Sequence, residues 1–175
     1  LLIGAHLGSF EVLRAVGRGR AGLKVAMLMY EENARKINAA LEAINPAATA
    51  DIIALGRMDS MIEARDKLDQ GYLVGMLADR GLGDDATVDY EFLGKMAPFP
   101  VGPFRMAALL RRPVFFMAGL YLGGNRYQIH FEPLADFSET PRAERDAAMR
   151  AAQQHYAERL SHFCRLAPYN WFNFF

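Results

Sequence analysis

The chain has one cysteine, Cys164, and one tryptophan, Trp171, in 175 residues. A lone cysteine cannot close an internal disulfide and supplies too few thiolates for a zinc–cysteine site, which fits a reducing compartment. Neither sign of charge is in excess, since 20 Lys and Arg residues balance 20 Asp and Glu residues. No global field therefore draws nucleic acid, and a nucleic-acid partner is not expected. No uninterrupted apolar run reaches the ~20 residues of a bilayer span. The nearest, Pro113 to Gly124, is too short and follows Arg111-Arg112. The Gly-x-Ser-x-Gly elbow of a serine hydrolase is also missing. The first residue is not methionine, and the chain opens inside an apolar run, which reads as a fragment whose N-terminus, with any membrane anchor, lies upstream.

What is present suits one domain spanning residues 1–175. A chain this long buries about 70% of its unfolded surface, and 52% of its residues are hydrophobic. Strands are expected at Leu1–Ala5, Lys24–Met29, Asp51–Leu55 and Tyr72–Ala78, the last a continuous apolar run suited to a strand buried on both faces. Val88–Leu93, Val114–Leu122 and Tyr127–Pro133 also read as strands, the last two joined by a turn at Gly123-Gly124-Asn125. Helices are expected at Phe10–Val16, Glu31–Ile44, Asp59–Gln70, Phe104–Leu110 and Pro141–Arg165. On the last, Ala148, Ala152, Tyr156, Leu160 and Phe163 share one face. Pro98–Pro103 reads as a stiff turn, and Asp79–Asp85 as a loop. Strands alternating with helices predict an α/β domain with a largely parallel central sheet flanked by helices.

The segment richest in chemistry is Gly4-Ala5-His6-Leu7-Gly8-Ser9-Phe10-Glu11. A neutral imidazole can take a proton from an alcohol, and a carboxylate can hold that imidazole in one tautomer. On one helix, a spacing of five is about 140° around the axis, so His6 and Glu11 would not share a face. They meet only if His6 lies in the turn before the helix that carries Glu11, and the flanking glycines allow such a turn. Asp79-Arg80 closes the most apolar strand, where α/β sheets place ligand sites, so the pair is either part of a site or an ion pair closing the sheet.

Other patterns carry less. Gly17-Arg18-Gly19-Arg20-Ala21-Gly22 matches G-x-G-x-x-G but follows a helix and precedes a strand, the reverse of a dinucleotide site, and reads as a loop. His155, His162 and Cys164 on the last helix lack a carboxylate at ligand spacing, so no metal is expected. Arg105, Arg111 and Arg112 could meet phosphates but have the spacing of a solvated helix face. Tyr169-Asn170-Trp171-Phe172-Asn173-Phe174-Phe175 reads as a plug over the sheet, or else as an acyl-chain wall or membrane-facing surface.

In order, these pieces resemble the lysophospholipid acyltransferase superfamily, and within it the bacterial lipid A late-acyltransferase branch and its predicted-acyltransferase relatives. His6 through Glu11 is similar to that family's H-x4-D/E block. Leu77-Ala78-Asp79-Arg80 resembles its strand ending in Asp-Gln or Asp-Arg, with Arg80 where the lipid A enzymes more often carry Gln. The run from Phe92 to Pro103, which includes Gly94, Pro98 and Gly102, resembles the loop leading to its next helix. Tyr127–Pro133 and Tyr169–Phe174 are similar to its end pieces.

The resemblance implies a glycerol-phosphate acyltransferase-like fold. It also implies transfer of a fatty acyl group from a thioester of acyl carrier protein or coenzyme A to a hydroxyl or amine of a lipid-like acceptor. His6 would be the general base and Glu11 its orienter, which is half of a serine-protease triad with the substrate alcohol in place of serine. Asp79, Arg80, Gly94, Pro98 and Gly102 would belong to the substrate site. No cofactor is implied beyond the acyl thioester itself. The expected place of work is the cytoplasmic face of the bacterial inner membrane. The same dyad acting on water would make a thioester hydrolase, and a non-catalytic lipid-binding domain is the reading left if His6 and Glu11 lie far apart.

Overall fold

The computed structural model describes residues 1–10, 12, 23–30, 35, 39, 51–56, 59–81 and 85–172. Among them are the strands β1 (Leu2–Gly4), β2 (Val25–Tyr30), β3 (Asp51–Leu55), β4 (Leu73–Leu77), β5 (Thr87–Phe92), β6 (Lys95–Pro100), β7 (Pro113–Tyr121) and β8 (Tyr127–Asp136). The α-helices are α1 (Ser60–Asp69), α2 (Gly102–Leu110) and α3 (Arg145–Leu166). Most of the expected helices Phe10–Val16 and Glu31–Ile44, and the glycine-rich loop 17–22, lie outside the described residues. Phe10, Val12, Arg35 and Ala39 are helical.

Six strands form one sheet in the order β3-β2-β4-β1-β7-β8. Every neighbouring pair is parallel except β7 and β8, which form an antiparallel hairpin at the edge. The expected α/β architecture is therefore the observed one. β1 sits inside the sheet, its Leu2, Ile3 and Gly4 all buried, with β4 on one side and β7 on the other. A strand so enclosed must be apolar on both faces, and Leu1-Leu2-Ile3 is.

Helix α3 covers one face. Tyr156 is fully buried at its centre, with ring centroids of Phe99, Phe104 and Phe116 within 5.6–6.0 Å. Its hydroxyl donates to the Gly4 carbonyl at 2.8 Å, so the buried phenol is satisfied and β1 is fixed to the helix. Two turns on, Phe163 stacks on Phe116 at 5.3 Å. On the opposite face Leu2 and Met117 pack with Phe10, Leu73 and Ile129. The Phe10 ring lies on β4 at Gly75, where an added Cβ would come within 2.3 Å of it. Glycine at that position makes room for the residue that follows the His6 loop.

One expectation needs correcting. Lys95–Pro100 is a strand paired with β5, not loop, so Pro98–Pro103 is not a turn throughout. In a two-stranded ribbon both strands are edges. Pro98 and Pro100, two residues apart, share one parity and can turn their missing N–H outward. The turn lies instead at Leu93-Gly94, where φ values of 54° and 89° match the type I′ hairpin. Gln153 of α3, buried and polar, secures the hairpin's far end by donating to the Phe99 and Pro100 carbonyls at 2.9 and 3.1 Å.

Candidate active site

His6 lies two residues past β1, and Asp79 two residues past β4, its parallel neighbour. Parallel pairing aligns Gly4 with Leu77, so the residues that follow each strand emerge side by side at the carboxyl edge of the sheet. The His6 ring nitrogen Nδ1 is 3.0 and 3.1 Å from the two Asp79 carboxylate oxygens. The His6 backbone N–H also donates to Asp79 Oδ2, at 3.1 Å. The Asp79 side chain is fully buried, whereas that of His6 is 38% exposed.

A buried carboxylate must be matched by donors, and His6 supplies two of them. A carboxylate at Nδ1 selects the tautomer that carries its proton there. Nε2 is then the basic nitrogen, on the part-exposed ring. The Asp79 charge also acts on the core beneath. Burial, and then that charge, push the Tyr156 hydroxyl well above its ordinary pKa and the Cys164 thiol up to about 12. Cys164 is thus a buried neutral thiol.

His6 is gripped from a second side by the segment at Pro168–Phe172. Phe172 donates its backbone N–H to the His6 carbonyl at 2.9 Å, and Gly8 donates to the Asn170 carbonyl at 2.8 Å. Leu7 and Trp171 form an antiparallel bridge between these two bonds. Arg80, next to Asp79, donates from Nη2 to the Phe172 carbonyl at 2.9 Å. Asp79 therefore holds His6 directly, and Arg80 holds the segment that holds His6.

Buried Asn170, at the end of the short 3-10 helix Pro168–Asn170, fastens that segment to the sheet. Its Oδ1 accepts from Tyr121 N at 2.7 Å, and its Nδ2 donates to Tyr121 O at 3.3 Å. Gly8 and Ser9 run tightly against β7, with Ser9 N donating to Gly119 O at 2.9 Å. A Cβ on Gly8, whose φ is +70°, would come within 2.0 Å of that oxygen. The Gly4–Ser9 segment is thus fixed by β4, β7 and the Pro168–Phe172 segment.

This arrangement sits on a chain whose sequence matches a described family. A family model for bacterial lipid A biosynthesis acyltransferases spans residues 1–175. The chain belongs to that family. A search of curated proteins gives no match. Membership makes the enclosed histidine at the sheet's carboxyl edge the candidate active site of an acyltransferase.

The other expected site residues of this acyltransferase fall as follows. Glu11 lies outside the described residues, and the carboxylate that the structure places on Nδ1 is Asp79. Gly94 is in the β5–β6 turn, Pro98 is in β6 opposite Asp89, and Gly102 opens α2. This hairpin reaches the His6 segment through aromatic contact. The Phe92 ring is 5.7 Å from that of Trp171, which pairs with Leu7.

Arg111 and Arg112 are tied to the protein, Arg111 to the Ser138 carbonyl and Arg112 to Asp69, while Arg105 is exposed. His155 and His162 belong to no metal-binding group among the described residues. No described helix is long and apolar enough to cross a membrane. Asn170 is the site residue that sequence reasoning missed. Its signal was present, as an uncharged polar side chain inside an aromatic run, but it was read with the whole tail as plug or surface.

Proposed function

We propose that the protein transfers a fatty acyl group from a thioester, of acyl carrier protein or coenzyme A, to a hydroxyl or amine of a lipid-like acceptor at the cytoplasmic face of the inner membrane. The observation that carries this reading is the bond from His6 Nδ1 to the buried Asp79 carboxylate at 3.0 Å. His6 Nε2 takes the proton of the acceptor O–H or N–H as that atom attacks the thioester carbonyl. A tetrahedral intermediate forms, its C–S bond breaks, and the protonated ring returns the proton to the departing thiolate. No acyl-enzyme is needed, which agrees with the absence of a serine elbow. General base catalysis of this kind contributes about 10²–10⁴ in rate.

In this reading Asp79 is a positioning residue that sets the His6 tautomer and stabilises the imidazolium. With Nδ1 occupied, the contribution left to Glu11 is that of a second carboxylate favouring the imidazolium by charge. Gly94, Pro98 and Gly102 bound the substrate side, and Arg80 acts through the Phe172 backbone. Labelled acyl thioester supplied with and without a lipid acceptor tests the whole reading. Wild type forms labelled acyl-lipid, and folded His6→Ala protein loses at least about 10² of that rate. Full activity in His6→Ala refutes it, and free fatty acid as the only product converts it to hydrolysis.

A further inference from the structure

Beside His6 the molecule presents an uncharged aromatic surface that the catalytic reading does not use. Gly8 and Ser9 form one wall of an open cavity of about 300 Å³, and Tyr121, Tyr127, Tyr169 and Phe172 line the remainder with Asn170. The large side chains here are unusually bare. Tyr169 is 96% exposed, Leu122 50%, Phe172 48%, Tyr121 47% and Tyr127 43%. They come from the ends of β7 and β8 and from the Pro168–Phe172 segment. Asn170 binds these parts together through the Tyr121 backbone.

The charge pattern narrows the occupant. From Pro113 to Phe131 there is no acidic residue, and the one Lys or Arg is Arg126 in the β7–β8 turn. From Leu166 to Phe175 there is no charged residue at all. Elsewhere acids and bases are mixed and nearly equal in number. A protein partner of ordinary composition would be met by a rim of both signs. Tyrosines with one apolar body and one wet hydroxyl, next to Leu122, with Arg126 and the Phe172-bound Arg80 as the adjoining cations among the described residues, suit the boundary between headgroups and acyl chains. Arg126 would face anionic headgroups.

We propose that this patch is the surface by which the protein seats on a lipid bilayer, with the mouth of the His6 site turned toward the acyl-chain boundary. The acyl-transfer reading supplies its purpose, because an acceptor embedded in a membrane then reaches His6 without leaving it.

The test is vesicle binding, which needs no turnover. The protein is mixed with phosphatidylethanolamine–phosphatidylglycerol vesicles carrying brominated acyl chains. Flotation and quenching of Trp171, the sole tryptophan, are then read. Wild type floats, its fluorescence is quenched, and high salt leaves most of the protein bound because the exposed side chains of the patch are mainly uncharged. The double variant Leu122→Ser/Tyr169→Ser, altered at two exposed side chains, keeps its near-ultraviolet circular dichroism and loses at least about tenfold in partitioning.

The proposal is overturned by wild type that does not float, by a double variant that floats equally, or by complete release in salt. A dimer that the same substitutions split also overturns it, in favour of a second copy. Protein that floats but transfers no acyl group removes the acyl-transfer reading and leaves the surface. Active protein that does not float does the reverse.

Discussion

Replacing Asp79 by Asn removes one charge and almost no volume, so it isolates what the carboxylate does for His6. The carboxylate accepts from His6 N at 3.1 Å and from Nδ1 at 3.0 Å. An amide oxygen at the Oδ2 position keeps the backbone N–H bond but places the NH₂ group at the Oδ1 position, 3.0 Å from Nδ1. A donor there favours Nδ1 as acceptor, and the ring proton moves to Nε2, the atom proposed to be the base. The same change of tautomer in a Ser-His-Asp triad costs about 10⁴ in kcat, which is about 5.4 kcal/mol.

Folding should suffer less. A hydrogen bond to a charged group is worth about 1.5–3 kcal/mol. Losing one in a domain of this size lowers Tm by roughly 3–12 °C. The assay is acyl transfer at saturating thioester and acceptor, with Tm and near-ultraviolet circular dichroism measured on the same preparation. Asp79→Asn with kcat within about threefold of wild type, in folded protein, refutes the orienting role. A rise in KM with kcat unchanged refutes it too and makes Asp79 a substrate contact.

Three further outcomes follow from the same geometry. Gly8→Ala forces a Cβ against the Gly119 carbonyl at positive φ; strain of this kind costs at least about 1–3 kcal/mol, so Tm and soluble yield should both drop, and an unchanged Tm would show that the turn is not held. Asn170→Ala, which frees Tyr121 N and O, should lower kcat with little change in donor KM, and Asn170→Asp, which keeps the acceptor, should recover part of it; a loss confined to KM would exclude a positioning role. Cys164 in folded protein should resist thiol reagents at pH 8 and react fully in denaturant. The unfolded thiol titrates near 9.0 and the folded one near about 12, so between these values the unfolded chain releases a proton that the folded chain keeps. Stability contributed by the thiol is full below pH 9.0 and is lost as pH climbs toward 12, with Tyr156 acting in the same direction. A Tm that rises over this range in wild type relative to Cys164→Ser would contradict the burial.

Much of this fold could be read along the chain, because parallel strands buried on both faces write themselves as continuous apolar runs. Tyr72–Ala78 and Leu1–Ala5 contain the observed β4 and β1, and alternation with helices predicts the parallel sheet. β6 was hidden because Pro98 and Pro100 argue against a strand unless the ribbon has two edges, and edge status belongs to tertiary structure. The burial of Gln153 was hidden for a similar reason: a polar residue on a helix reads as surface until the carbonyls it serves are known.

The site shows the same division. His6 at a strand end was legible. Spacing compares residues close in sequence and so points to Glu11, which lies outside the described residues. The bond to Asp79 spans 73 positions and comes from the register of β1 against β4. Asp79 was visible as a strand-end residue, but no local rule joins it to His6.

The pairing of Leu7 with Trp171 also orders events in time. Contacts this distant in sequence are made late, because a long loop must close before they contribute. Asp79 can meet His6 once β4 has joined β1. The His6 carbonyl and the Gly8 amide wait until Phe172 has left the ribosome. A nascent chain can therefore build much of its sheet while His6, the proposed base, is held on one side only, and the second grip on that residue comes after the first.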